Sequence, residues 1–577
     1  MTAQVGPAAR PVRLTWEQKT TATMDETWEV LADTDQFNRV AQLGFQFKEL
    51  PQADGTTLRQ GEMKRLGMRH RWKDLPFQYR APEWFRKERQ FETGPLALMV
   101  IQLRLRPDKE GTAFRYSVEL FARHPLLRPL VALEAHFFSR PNLDRTLQAA
   151  LKLLAGQQVE GFSEPIPALD REQEGRLNGA LTRLKPEKFA RQLGQFIRSA
   201  PLREQDRMQP LRLARRWELS EDAAVEGFLR AAQEGVLAMK WDVVCPSCRM
   251  PKQRLESLAE LTSDVHCPSC NVRFDGTFPD AVEVSFRPAP SIRDFSIEVA
   301  CLGSPARQPH IVAQERLEPG AETDFTLSLI PGAYRLRTWP PKETCSVEVR
   351  PKGQVDESAV QIRLFDVQPT RLRLVEGQRR IALKNVTDRG VEVILEKQWR
   401  SPDLLTAGRL LENARARELL PGGVLPPGFK AELFRGAVLV VEVLRGGKTT
   451  LDSMLSELQR GNPRFLKVAE LRIVSVWGSV ETALGMARVM KESEKVRCAL
   501  NLGAMLESPE SSQRMVMGEV VELAIDCLRG AGPGVIALPE ATSQAHELDR
   551  ALARMGAALV PPDYQMPGAA PAVWIRM

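Results

Sequence analysis

Cys245-Pro246-Ser247-Cys248 and Cys267-Pro268-Ser269-Cys270 decide how the centre of this 577-residue chain is read. Two CxxC knuckles separated by the stretch Arg249 to His266 can wrap one tetrahedral ion, because each knuckle brings two thiolates to one point and the intervening segment is long enough for a hairpin. Cys245, Cys248, Cys267 and Cys270 together would close the coordination sphere of a structural Zn²⁺, leaving no open position for substrate or reactive water. Two disulfides or a thioredoxin-like redox pair are the other readings. A redox motif occurs once, beside a βαβ unit, and needs no second copy. The expected zinc ribbon therefore tells how the region folds and little about reaction chemistry.

Working outward, the length calls for several domains rather than one core. Lys plus Arg number 80 against 73 acidic residues, and a net charge of +7 spread over this length makes a weak case for nucleic acid or an anionic membrane. The first residues, MTAQVGPAARPVRL, hold no apolar stretch of signal-peptide type, and the longest apolar run, near Leu96 to Leu103, is far short of the ~20 residues of a membrane helix. A cytoplasmic chain without a membrane span is expected. Cys301, Cys345, Cys498 and Cys527 are scattered, as buried reduced thiols would be. None of the six histidines stands in a metal or triad spacing.

Residues 10–158 read as strand, helix, strands, long helix. Leu14 to Gln18 alternates, Met24 to Asp33 has apolar residues at helical spacing behind an acidic first turn, and Thr112 to Leu120 is a period-two strand. A helix is expected over Arg140 to Leu154. This order resembles the START-like (SRPBCC) helix-grip fold, in which a curved antiparallel sheet wraps a C-terminal helix. The local resemblance is to the version at the N-terminus of some bacterial class III nucleotide cyclases, where a helix ends in a motif like Asp33-Thr34-Asp35-Gln36-Phe37-Asn38-Arg39. The resemblance implies a cavity for an apolar small molecule; a filled core acting as an interaction module is the alternative.

Residues 165–240 are helical and polar. Leu211 to Trp217, the cap Ser220-Glu221-Asp222 and Ala223 to Gln233 give two helices joined by a short turn, as in a winged helix. Arg212, Arg215 and Arg216 could meet phosphates, but Glu221, Asp222, Glu226 and Glu234 crowd the recognition-type helix around a single Arg230, so base reading is poorly supported. The ribbon spans 241–285. Residues 286–400 carry alternating strands at Asp324 to Leu329, Pro331 to Arg337 and Arg380 to Asn385, as in a small β-sandwich. The helical module, the two knuckles, Phe286-Arg287-Pro288 and the strand at Pro331 to Arg337 together resemble the region preceding the catalytic domain of those cyclases.

The same resemblance places a class III cyclase domain, ferredoxin-like α/β in fold, at 430–577. Val438 to Leu444 matches its first strand, with Glu442 where a metal-binding Asp is usual. Lys467 to Trp477 resembles the following strand pair, which keeps a purine-contacting Lys467 and turns the second metal Asp into Leu471. Met517 to Asp526 falls on the helix that carries a transition-state Asn and an Arg; these become Glu522 and Asp526, one helical turn apart. Ala531 to Ala541 anchors the register. Two-metal cyclisation needs two carboxylates and neutral or cationic donors near phosphate. Here one carboxylate is an apolar residue and the donors are acids, so no catalytic residue is assigned.

The chain is thus expected to be a multidomain α+β protein with four parts: a START-like domain, a winged-helix-like module with a zinc ribbon, a β-sandwich, and a degenerate cyclase domain. A non-catalytic regulatory or scaffolding role in cytosolic signalling follows, with a protein partner or a second copy meeting the cyclase-like domain. A residual adenylate or guanylate cyclase and a DNA-binding regulator are the rival readings.

Overall fold

The computed structural model describes residues 10–576, apart from 42–45, 52–56, 66–67, 158, 160–165, 246–250, 262–264, 268–271, 275–281, 297–302, 340–343, 353–359, 365–370, 399–402, 421–431, 470, 509–514 and 563–569. The opening strand Val12–Thr20 alternates buried and exposed side chains and pairs antiparallel with Gly111–Ala122. That strand in turn borders Leu96–Asp108, then Trp84–Phe91. Beyond Trp84–Phe91 the sheet forks. One branch runs through Met68–Asp74, Thr57–Arg65 and Gln46–Pro51, and the other is the three-residue strand Gln78–Arg80.

The helices that this sheet holds follow from local chemistry. Thr23 and Glu26 form a reciprocal capping box for Met24–Leu31, and the Asp33 side chain accepts the Gln36 N–H to start a second helix, Thr34–Val40. Helical structure begins earlier than the expected Arg140 to Leu154: a turn at Pro125–Leu127 runs into Arg128–Glu134, a wide turn at Ala135–Ser139 and Arg140–Leu154. Pro141 accounts for the wide turn, since it lacks the N–H that would bond the carbonyl four residues back and its ring crowds that carbonyl. Leu147 and Ala150 then enter the core of Leu14, Trp28, Phe85, Leu103 and Tyr116. Burial of one such large apolar side chain contributes about 1.5–3 kcal/mol.

The sheet does not stop at this unit. Gln78–Arg80 pairs with Ile311–Leu317, setting Ala313 opposite Arg80, and the ladder continues through Val391–Gln398, Gly332–Trp339, Thr344–Arg350 and Arg371–Val375 to make thirteen strands. A separate three-stranded sheet of Glu322–Leu329, Gly377–Asn385 and Val360–Leu364 faces it, with Phe325, Leu327, Tyr334, Val347, Ile381 and Leu395 in the shared core. In the middle of the chain, helices Pro210–Arg216 and Glu221–Gln233 lead into Leu237–Val244, which sits between Pro251–Leu255 and Val282–Pro288. Between Pro251–Leu255 and Val282–Pro288, which both border Leu237–Val244, the short strands Val265–Cys267 and Val272–Phe274 pair with each other.

In the C-terminal unit the neighbours are Phe465–Ala469, Arg472–Trp477, Glu432–Val443 and Val496–Ser508, all antiparallel, with helices Gly447–Arg460 and Val480–Lys491 as the crossovers. This is the split βαβ order of a ferredoxin-like sheet. Ile536–Pro539, Ala572–Arg576 and Ala558–Val560 extend it.

One ionic cluster ties three of these units together. The Asp35 carboxylate is fully buried and meets Arg39 at 3.0 Å, Arg203 of the helical region at 3.3 Å and Arg307 at 2.7 Å. Arg307 also reaches Asp33 at 3.0 Å, and Ser304 accepts the Thr34 N–H while donating to the Ala32 carbonyl. Removing one partner of a buried ionic group leaves the others uncompensated, at a cost of about 3–5 kcal/mol. Asp35→Ala is thus expected to lower the first unfolding midpoint in denaturant and to speed protease cleavage between the N-terminal unit and the rest. An unchanged midpoint would show that the seam does not depend on this carboxylate.

Candidate functional site

The register of the C-terminal sheet puts Glu442 directly opposite both Arg472 and Arg497. Arg497 Nε donates to Glu442 Oε2 at 2.6 Å, its Nη2 pairs with the same oxygen, and Arg472 Nη2 stands 3.2 Å from Oε1. Arg497 is itself buried, with its Nη1 at 3.5 Å from Ser346 Oγ of the β-sandwich. Burial alone would raise the Glu442 pKa, but Arg497, Arg472 and Arg335 outweigh it and hold the carboxyl down at about 2. Burial works the other way on Arg497, lowering its pKa against the pull of Glu442. The position that the cyclase resemblance gives to a metal ligand is filled by guanidinium groups.

A second carboxylate continues the cluster into the sandwich. Glu396 accepts Arg335 Nε at 2.6 Å and Arg337 Nε at 3.1 Å. It too is held at about 2, where burial is overcome by Arg335, Arg337 and His310. Burial depresses His310 to about 4, with Glu396 opposing and Arg337 reinforcing, so its ring is neutral near pH 7.

The other sequence-selected positions divide into two groups. Leu471 lies in the turn between Phe465–Ala469 and Arg472–Trp477, and its carbonyl accepts the Val443 N–H at 2.7 Å. Positions 442 and 471 are thus brought side by side, yet the second is apolar and its successor is Arg472. Lys467, half-buried, pairs across the strand with Val474 at the same end of the sheet. Glu522 and Asp526 sit elsewhere. They lie buried on helix Glu519–Cys527, whose Val520 packs on Gly503. Gly503 faces Gly436, six residues along the strand from Glu442, which at about 3.3 Å per residue separates the two groups by roughly 20 Å.

Glu522 accepts a hydrogen bond from Thr406 Oγ1, and Thr406 also caps helix Ala407–Glu412. A Cβ on Gly408 would stand 2.8 Å from the Gly518 nitrogen, so these two helices approach as closely as glycine permits. Asp526 pairs with Arg529 at 3.1 Å. By strand alternation Glu442 shares a face with Val438 and Val440, and those valines belong to one apolar cluster with Leu410, Val521, Phe228 and Trp241 of the middle region. That sheet face is covered from within the chain.

Cys245 and Cys267 are both fully buried. Cys245 follows strand Leu237–Val244 just before its hairpin partner Pro251–Leu255, and Cys267 ends Val265–Cys267, pairing with Val272 of the next strand. Each of the two cysteines thus stands at the end of a described strand. Cys248 and Cys270 lie outside the described residues; among the described residues no group of three or more His, Cys, Asp or Glu side chains could hold a metal ion. In the helical module, Arg216 pairs with Glu204 at 2.8 Å, Arg215 with Asp403, and Glu221 of the recognition-type helix with Arg409 at 2.6 Å.

Between the N-terminal sheet and its long helix lies an apolar cleft of about 90 Å³. Trp72, Phe91, Met99, Tyr116 and Leu143 line it, with Arg89 and Asn142 as polar groups. Arg89 is buried, 3.1 Å from Asp74, which also pairs with the buried Lys87 at 2.7 Å.

Residues 172–300 match a protein family whose description is a family of unknown function (DUF5939). A search of curated proteins found no match. Among solved structures, a protein from Chromobacterium violaceum is similar at 14% identity, over 25% of this chain and 96% of that one, with a TM-score of 0.19. An aromatase/cyclase from Streptomyces is similar at 16% identity, over 26% and 99%, with a TM-score of 0.21. The catalytic core of a rhodopsin-guanylyl cyclase with converted specificity is similar at 12% identity, over 25% and 97%, with a TM-score of 0.20. At these identities and scores none of the likenesses assigns a ligand, a substrate or an activity.

The buried ion pairs set a pH dependence. Glu442 and Glu396 have folded pKa values of about 2 against an ordinary 4.5, and His310 about 4 against 6.5. In each case the unfolded chain binds more protons across the window, so stability rises with pH. Full stability is expected above about pH 6.5, with loss first between 6.5 and 4 as His310 differs, then between 4.5 and 2 as the carboxylates do. Urea midpoints followed from pH 8 downward check this, and a flat profile would refute it. Glu442→Gln should weaken the lower limb and, by leaving Arg497 buried without its anion, cost about 3–5 kcal/mol at neutral pH.

Proposed function

We propose that the chain is a non-catalytic regulatory or scaffolding protein whose C-terminal domain is a pseudo-cyclase. The observation that carries this reading is the capture of Glu442 by Arg472 and Arg497. A carboxylate so engaged has most of its acceptor sites taken and its charge offset by two guanidinium groups, which makes it a poor ligand for a divalent cation, and a two-metal site needs a second carboxylate where Leu471 stands. The resemblance calls for neutral or cationic donors at 522 and 526, where this chain has two buried acids, and Glu522 is already engaged by Thr406. The purified chain given ATP or GTP with Mg²⁺ or Mn²⁺ is expected to form no cyclic nucleotide above background. Metal-dependent product that disappears in Glu442→Ala would overturn the reading and establish a residual cyclase.

In this reading the N-terminal unit senses an apolar small molecule. The cleft is well below the roughly 300–1,000 Å³ of drug-sized sites, so a ligand of that size requires the helix Arg140–Leu154 to move outward from the sheet. Such a movement would bear on Arg39, Asp35 and Arg307, and so on the sandwich that covers Glu442. A partner protein or a second copy would read the result at the C-terminal unit in the cytoplasm. The self-paired arginines and acidic residues of the helical module give a DNA-binding role little support.

Zinc is the proposed structural cofactor, held by Cys245, Cys248, Cys267 and Cys270. Elemental analysis is expected to find one Zn²⁺ per chain, and Cys245→Ser with Cys267→Ser to lose it together with the cooperative unfolding of the middle region. A wild-type chain free of stoichiometric metal would end the proposal.

A further inference from the structure

Eight large apolar side chains are strongly exposed among the described residues, and five of them, Leu126, Leu130, Leu133, Phe137 and Phe138, fall within one short helical stretch. The spacing of Leu126, Leu130, Leu133 and Phe137 follows one face of a helix, while Val131 and Ala135 on the opposite face are buried in the N-terminal core. Leu126 is 82% exposed and Phe137 69%. A stripe of this kind on a water-facing surface marks a docking site. Its surroundings are basic: exposed Arg123 and Arg128 flank its start and exposed Arg140 its end, and the one acid between them is Glu134. Arg128 holds the Arg10 carbonyl at 3.2 Å, which brings a further exposed arginine alongside.

We infer that this stripe docks the chain on the surface of an anionic lipid bilayer, with Leu126, Leu130 and Phe137 entering the acyl boundary and the arginine rim meeting headgroup phosphates or carboxylates. Apolar insertion combined with basic flanks is what interfacial helices use, and among the described residues no helix is long and apolar enough to cross the bilayer. A symmetric contact between two copies is the less favourable occupant, because a two-fold axis through the stripe would set the same arginines against themselves. The wide turn Ala135–Ser139, in which the stripe ends, supplies Ser139 to the apolar cleft on the opposite, core-facing side, where Asn142 and Leu143 of the next helix also line it. The inference rests on the exposed face alone and is independent of the pseudo-cyclase reading.

Vesicle flotation of the full chain tests it, using phosphatidylcholine vesicles with and without phosphatidylserine. Binding is expected to phosphatidylserine vesicles, to weaken in high salt, and to fall at least about tenfold in partition coefficient for Phe137→Glu or Leu130→Glu. Both side chains are exposed, so the melting temperature should hold, and Val489→Glu, on an exposed apolar residue far along the chain, should bind as the wild type does. Three results would overturn the inference: equal binding to both vesicle types, no binding to either, or a concentration-dependent dimer abolished by Phe137→Glu without lipid.

Discussion

A buried carboxylate surrounded by arginines from three parts of the chain is the constraint on which the arrangement of this protein rests. Asp35 belongs to the N-terminal unit, Arg203 to the helical region and Arg307 to the approach to the sandwich. These half-buried cations converge on the anion, and the anion could not be buried without them. Such a cluster contributes little net stability compared with apolar packing. Its effect is geometric, because the units fit in one relative placement or leave a charge stranded.

The same logic recurs at the other end of the sandwich, with a different consequence. Glu396 and Glu442 lie in separate domains, yet Arg335 acts on both. The strand end at Glu442 is part of an interdomain ionic core, and the opposite end of the same face is closed by Thr406 and helix Ala407–Glu412 against Glu522. The acids at 442, 522 and 526 are each buried against partners from this chain: Arg472 and Arg497, Thr406, and Arg529.

The readable parts of the sequence were those with local causes. Alternation announced the strands Thr112 to Leu120 and Asp324 to Leu329, the family resemblance announced Val438 to Leu444, and Ser220 announced its helix. The helical stretch from Pro125 was missed because two prolines, Pro129 and Pro141, look like breaks when each in fact sits in a first turn. The arginine partners of Glu442 were missed because register is a property of paired strands; the available signal was Arg497 standing alone in the apolar run Val496 to Leu500. Asp35 was noticed only as part of a motif, since its partners are distant in sequence. Continuity of the sheet through Gln78–Arg80 had no local signal at all.

That continuity has a consequence for how the chain is made. Arg80 waits for Ala313, so about 230 residues must be synthesised before the edge of the first unit is covered, an interval of roughly ten to fifty seconds at ordinary translation rates. During that time an unpaired sheet edge is open to any passing strand. The strand left open is only three residues long and ends in arginine. A short, charged edge is a poor template for a foreign strand but sufficient for one held nearby on the same chain, so the nascent protein is protected by the same brevity that makes its largest sheet hang together at a single narrow joint.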